Sequence, residues 1–494
     1  MKKKWLLALL LALLFLTSII GCIRRSGLSK KAEAEPVKLK LVMYGSNGDR
    51  KKEFFENEFH DRVMEELNID LTVEFVSWEA QHGMAARLAS GESLACMNIL
   101  YLNDWIPKGY LAEIEQEQIE EYCPNLLRIR EDDSLLSVTY NDKIYGIPIG
   151  AKSYAGDTQY ILARGDIIRE LGYEPEEITT LAKLEEVMAA CKEKYPDNTM
   201  TSQVDEFLNV ALAQEISDRL FLRVSTNNFA VVDELEEGDK VYSYYETEEF
   251  KRLCKITSRW ADLGYISIEE LSNPEQSTTD WGNGNGFLRM GMISAMVSGT
   301  STSGKEEVLL KIGDLPDFKV KDYDYAVSIS KADQDKVPYW LQLFDWIYQD
   351  QEHYNYCVYG VEGKDWEYNE EGRIERIASG TFFAEWFLSA FEYKQYGESI
   401  SQEQIDAYES FDDNSRFSKT TGFIFDTSPV ASEMSRLNAI YEEKLLPMIF
   451  GFLDYEEHYE ETLREMKEVG IDAYIAEYQR QYTEWYQQNH AATP

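Results

Sequence analysis

With 494 residues, 44% hydrophobic and 13% aromatic, the chain can bury more than one core, which excludes an acidic disordered tail. Its 89 acidic residues against 49 basic ones give a net charge of −40. Such a surface repels phosphate backbones, whose binding draws on Lys and Arg, and so excludes nucleic acid as a partner of the domain as a whole. Six cysteines without a CxxC pair exclude a disulfide scaffold.

The chain opens on Lys2, Lys3 and Lys4, then an apolar run from Trp5 to Ile20, then Ile19-Ile20-Gly21-Cys22. A cationic start, a short apolar stretch and a small residue before the cut predict a signal peptide over 1–21. The run is short of the 20 or so apolar residues that span a bilayer. Gly21 followed by Cys22 resembles the lipobox of bacterial lipoproteins, which implies a diacylglycerol and acyl chain (palmitate) on Cys22 and a mature charge of 46 basic against 89 acidic residues, or −43. The stretch 22–36 has no apolar periodicity and reads as a lipidated tether.

From Val37, "VKLKLVMYGSNGD" predicts a strand running into a turn, and Phe55, Phe59, Val63 and Leu67 recur at helical spacing. Ile69, Leu71, Val73 and Phe75 alternate as a second strand that delivers Ser77, Trp78 and Glu79. "AARLASGE" is a helix ending near Gly91, and "CMNILYLNDW" a buried third strand whose exit carries Asn103, Asp104 and Trp105. Strands separated by such helices predict βαβ units and a mainly parallel sheet, with ligands outside the carboxyl ends of the strands. The exits at Tyr44 to Asn47, Trp78 to Glu79 and Asn103 to Trp105 are therefore expected to face one crevice.

A connecting strand, "DKIYGIPIGAKSYAG", leads to a second α/β series: "TQYILARGDIIRELG", a helix starting at Thr180, and "TEEFKRLCKITSRWADLG", whose Phe250, Leu253, Cys254, Thr257, Trp260 and Ala261 share one face before Gly264. Cys254 and Cys191 read as core packing. "GMISAMVSGT" and "YDYAVSIS" predict strands, and "PYWLQLFDWIYQDQE" a helix burying Trp340, Phe344 and Ile347. The last hundred residues are helical, with Ile471, Tyr474, Ile475, Tyr478, Tyr482 and Trp485 on one stripe.

Catalytic signals are sparse. Five histidines form no HExxH pair, and His353 with Cys357 places at most two metal ligands on one helix face. "GTSTSG" has Ser303 where a nucleophile elbow needs its second glycine. "DWGNGNGFLRMG" has Trp281 and Met292 where a calcium loop needs Asp and Glu. No cofactor, metal site or catalytic residue is assigned. The residues that suit binding are Trp78, Trp105, Trp281 and Trp366, beside turns or strand exits, because an indole offers a flat platform to the C–H face of a sugar while Glu79, Asn103 or Asp104 accepts its hydroxyl hydrogens. Tyr44, Ser46 and Tyr154 complete the expected ligand-binding set.

The order lipobox, strand ending YG, helix, "ASGE", strand, "GYLAEI", "IYGIPI", "LARGDII", "GMISAM" is similar to the extracellular solute-binding lipoproteins of carbohydrate ABC transporters, of the family 1 type. "YGVEGKDWEYNEEG" (Tyr359 to Gly372), "GFIFDTSPV" (Gly422 to Val430) and "VGIDAYIAEYQRQYTEWY" resemble its LipO-like subgroup. The chain departs from it after "ASGE", with "SLACMNI" in place of an acidic residue entering the strand. The resemblance implies an α/β, two-lobed, periplasmic-binding-protein-like (type II) fold with a helical C-terminal region. Lobe 1 is expected at 37–150 with a return near 320–360, lobe 2 at 151–319, and helices over 361–494. It also implies a membrane-anchored monomer on the outer face of the cell, not an enzyme, which closes on an oligosaccharide and passes it to two permease subunits served by a cytosolic ATPase. A surface glycoside hydrolase, an adhesive lipoprotein and a peptide-binding transport component are the rival readings.

Overall fold

Alternating apolar residues set the first strands, and their pairing sets the architecture. The computed structural model describes residues 35–490 apart from 46–47, 78–79, 99–104, 130–134, 136–137, 150–159, 203, 205–207, 223–228, 291–304, 320–325, 378–381, 389, 398–399, 412 and 414. Among the described residues nine strands build two large sheets: β1 (Val37–Tyr44), β2 (Ile69–Val76), β3 (Ala95–Asn98), β4 (Ile147–Pro148), β5 (Ile161–Arg164), β6 (Thr199–Ser202), β7 (Gly286–Met290), β8 (Glu307–Leu310) and β9 (Ala326–Ile329). The first sheet has the order β2-β1-β3-β9-β4 and the second β8-β5-β7-β6.

In the first sheet β1, β2 and β3 are parallel, with Tyr44 opposite Val76 and Val42 opposite Cys96. β9 runs against them, placing Ala326 opposite both Asn98 and Pro148. The carboxyl ends of β1 to β4 and the amino end of β9 thus line one edge. In the second sheet Ile161 opposes Met290 and Leu310, and Ser202 is level with Arg289. One edge therefore collects the carboxyl ends of β6, β7 and β8 and the start of β5. The chain passes from Pro148 to Ile161 and back from Leu310 to Ala326, so both passages join these same two edges.

Each sheet has its own core. The first gathers Leu39, Leu41, Phe55, Phe59, Val63, Leu71 and Met97 with Trp340, Phe344 and Ile347 from the helix Val337–Ile347, as their spacing predicts. A π-turn at Phe54–Glu58 adds one residue to the first helix and buries Phe54 as well as Phe55 and Phe59, which strict four-residue spacing does not anticipate. The second core holds the predicted Phe250, Leu253, Cys254 and Trp260, on a helix capped by Thr247 Oγ1 accepting from Phe250 N. It also takes in Ile471, Tyr474, Tyr478 and Tyr482, so the C-terminal helices pack on the second sheet's side. The long C-terminal helical stretch is broken at Gly470, whose φ of +113° lets the chain turn between Tyr455–Val469 and Ile471–His490.

A third passage runs through residues 394–417. It leaves the first core at Lys394, whose Nζ is 3.1 Å from Glu385 with both side chains buried, and its ammonium lies 5.1 Å from the Tyr408 ring. Ile400, Ile405 and Tyr408 then pack on Leu162 of β5, and Arg416–Phe417 pairs parallel with Phe318–Lys319. The arriving segment is pinned by Glu234, which accepts from Ser418 Oγ at 2.6 Å and Lys419 N at 2.9 Å.

Burial pushes the Glu234 carboxyl from 4.5 up to about 7. The folded state holds this proton more tightly than the unfolded chain, so its contribution to stability is complete below pH ~4.5 and is lost as pH rises through about 7. Glu234→Gln, whose amide serves the same two partners, is expected to flatten that slope. Thermal unfolding of both proteins between pH 5 and 8 checks this: the advantage of the variant should grow with pH.

Candidate functional site

The edges just described define where a site can form. Tyr44, Val76 and Asn98 end level with one another, and Gly45 N and Val76 O continue the β1–β2 ladder one step further at 2.9 Å. Where side-by-side strands end at one edge, the backbone groups of their last residues and the segments that follow are left for ligands. The second sheet's edge is tied to the passages by a polar cluster. Tyr160, just before β5, donates its hydroxyl to Asp317 Oδ1 at 3.0 Å, and Lys311 Nζ reaches the same oxygen at 2.7 Å. The Tyr160 ring lies 5.0 Å from Phe411 of the third passage, and Arg416 N donates to Asp317 O at 3.2 Å. Burial beside the Asp317 charge holds the Tyr160 phenol above its usual range. One carboxylate thereby touches all three passages between the sheets.

Of the expected binding residues, Ser46, Trp78, Glu79, Asn103, Asp104 and Tyr154 lie outside the described residues, as do Cys22 and the predicted strand "GMISAMVSGT". Tyr44 is the last residue of β1 and is 6% exposed. Three tryptophans expected as sugar platforms are instead buried, and the platform role is corrected for them. Trp105 is 1% exposed and belongs to the first core. Trp281, at the end of the helix Pro274–Gly282, turns onto Leu162, Ile405 and Tyr408, and a Cβ on Gly286 would meet its ring at 2.9 Å. Trp366 donates its indole N–H to Gly360 O at 3.1 Å and packs against Tyr359 and Tyr368. Their neighbourhood in sequence is polar, but cross-strand and inter-helix contacts decide which way each ring points, and no local signal carries that.

Asp350, Glu352 and His353 bring ligand-type atoms within 4.8 Å of one another. The positive charge among them is Arg62, whose guanidinium forks onto Glu352, pairs with Glu66 and stands 3.2 Å from His353 Nε2. Cys357, the other half of the His353 pair, is fully buried and its thiol is pushed well up by desolvation. Cys96, Cys123, Cys191 and Cys254 are likewise free and buried. Away from the edges, a hollow of about 830 Å³ on the second sheet's side is lined by Arg219, Tyr242, Glu246, Glu248, Asp472 and Gln479, none of them an expected binding residue.

A family model described as a domain of unknown function, DUF3502, matches residues 419–487. A carbohydrate ABC transporter substrate-binding protein of Streptococcus pneumoniae is 23% identical over 504 residues, covering 98% of each chain. Among solved structures, the N-glycan transport solute binding protein (NgtS) of Streptococcus pneumoniae in complex with Man5GlcNAc superposes with a TM-score of 0.74 at 22% identity, covering 92% of this chain and 99% of that one. An HMO binding ABC-transporter associated solute binding protein of Bifidobacterium longum infantis gives 0.57 at 13% identity over 92% and 100%. The chain has the two-lobed type II fold of solute-binding proteins, and the relative that it matches from end to end is a carbohydrate-transport binding protein. Among the described residues no helix is long and apolar enough to cross a membrane.

The Tyr160–Asp317 bond is expected to contribute about 1 kcal/mol to stability. Tyr160→Phe should lower the urea midpoint accordingly with an unchanged slope, because the ring and its contact with Phe411 remain.

Proposed function

We propose that this protein captures an oligosaccharide outside the cell, by closing two lobes on it, and delivers it unaltered to an ABC importer. In this reading lobe 1 comprises 37–150 with the return at 320–360, lobe 2 comprises 151–319, and the helical region 361–494 packs on both. The observation that carries the reading is the end-to-end match to a carbohydrate ABC transporter substrate-binding protein. The convergence of strand ends on two edges joined by two passages supports it.

Closure follows from elementary linkage. A ligand that touches both edges binds the closed arrangement better than the open one, and shifts the population by that difference in affinity. The contacts are assigned to the segments that leave the first sheet's edge, with Ser46, Glu79, Asn103 and Asp104 as hydrogen-bonding groups and Trp78 as the aromatic platform, joined by Tyr154 on the first passage. Trp105, Trp281 and Trp366 act behind them by packing. Cys22 carries the lipid, 22–36 is the tether, and two permease subunits with a cytosolic ATPase receive the sugar from a monomer.

Solution scattering with a panel of oligosaccharides should show a smaller radius of gyration only with the cognate sugar, and chromatography after long incubation should return that sugar intact. Shorter products would establish the hydrolase reading, and compaction with peptides alone would establish peptide cargo. Cys22→Ser, expressed in a bacterial host that lipidates such proteins, should move the protein from the membrane to the soluble fraction.

A further inference from the structure

The hollow on the second sheet's side lies between the edge of a small hairpin and one face of a helix. Its strand Val241–Ser243 pairs antiparallel with Ala230–Val232, Tyr242 facing Val231. Across the hollow the helix Ile471–His490 presents Asp472, Ile475, Ala476 and Gln479, whose spacing puts all four on one side.

Gln479 shows what the strand edge can hold. Its Nε2 donates to Asp239 O at 2.7 Å, and its Oε1 accepts from Val241 N at 2.9 Å. A residue of a parallel neighbouring strand makes this same pair of bonds, to the carbonyl before and the amide after the residue it faces. The side chain therefore fills one rung, at Lys240. In an antiparallel hairpin successive residues turn their backbone groups to alternate sides, so the Val241 carbonyl and the Ser243 N–H point the same way as Val241 N. These two form the next rung, around Tyr242, and neither has a partner on that side among the described residues. An open rung is a template for a further strand, and the hollow beside it has a volume of about 830 Å³.

Charge selects the occupant. Glu246, Glu248, Glu249 and Asp472 line the hollow against the single guanidinium of Arg219. Arg219 is committed to Glu249, with bonds of 3.1 and 2.8 Å, and Glu246 holds Lys467 at 2.9 Å. Lys240 rests its ammonium on the Tyr242 ring, 4.3 Å from the centroid. Glu248 and Asp472 are exposed and form no ion pair among the described residues, Asp472 acting on Lys467 only through space. We propose that this groove takes an extended, lysine- or arginine-bearing segment of a partner protein, added as a parallel strand along Val241–Ser243, with Glu248 and Asp472 receiving its cations. Main-chain bonds then supply affinity, and the alternate side chains supply the choice of partner. The hollow lies away from the edges assigned to the sugar, so the two binding events are separate.

The test uses a fluorescent hexapeptide of alternating lysine and valine, its fully N-methylated analogue, and a glutamate–valine counterpart, each titrated by anisotropy at physiological salt. The lysine peptide should bind at least tenfold tighter than the N-methylated one, which keeps the charges and lacks the amide donors, and the acidic peptide should not bind. Hydrogen exchange at the Ser243 amide should slow when the lysine peptide is bound. The double variant Glu248→Gln with Asp472→Asn, and separately Ala476→Arg on the exposed helix face, should each weaken binding at least fivefold with melting temperature and oligosaccharide titration unchanged. Equal binding of the lysine peptide and its N-methylated analogue, or an unprotected Ser243 amide, overturns strand addition and leaves a merely acidic surface. Displacement of the probe by a peptide of residues 22–36, which carries Arg24, Arg25, Lys30 and Lys31, gives the groove to this chain itself and overturns the partner.

Discussion

The parallel register of β1, β2 and β3 is the constraint on which the site depends. Because Tyr44, Val76 and Asn98 finish level, three separate stretches of sequence leave the sheet at one place. A slip of one residue in this pairing would turn every apolar side chain of a strand to the other face, so the buried cores fix the register. The hydrophobic effect thereby specifies where these three stretches leave the sheet.

The second constraint is covalent. Two passages connect the same two edges and a third leaves the first core, and Asp317 gathers them through Tyr160, Lys311 and the amide of Arg416. Large apolar cores stiffen each half, with Trp340 and Phe344 in one and Trp260 and Tyr478 in the other. Among the described residues the links are held by the bonds of Tyr160 and Lys311 to Asp317 and by the contact of Tyr160 with Phe411. A body built in this way bends at its links before it deforms within its cores, since close-packed interiors resist strain.

Charge is distributed with the same economy. Arg50, Arg62 and Arg87 each hold two carboxylates, and such forks absorb acids that would otherwise repel one another within a net charge of −40.

Periodicity in the sequence determined the helices and strands that have one wet and one dry face: the Phe250 to Trp260 stripe, the Tyr474 to Tyr482 stripe, the alternation of Ile69 and Leu71, and with them the α/β class. Family resemblance carried the two-lobed arrangement. The orientation of single residues was decided only by tertiary contacts. Trp281 and Trp366 stand beside turn residues like exposed binding groups, yet Leu162 and Tyr408 cover the one, and the Gly360 carbonyl holds the other. A residue's burial depends on neighbours hundreds of positions away, whereas helix and strand periodicity depends on neighbours two to four positions away, and local patterns record only the latter.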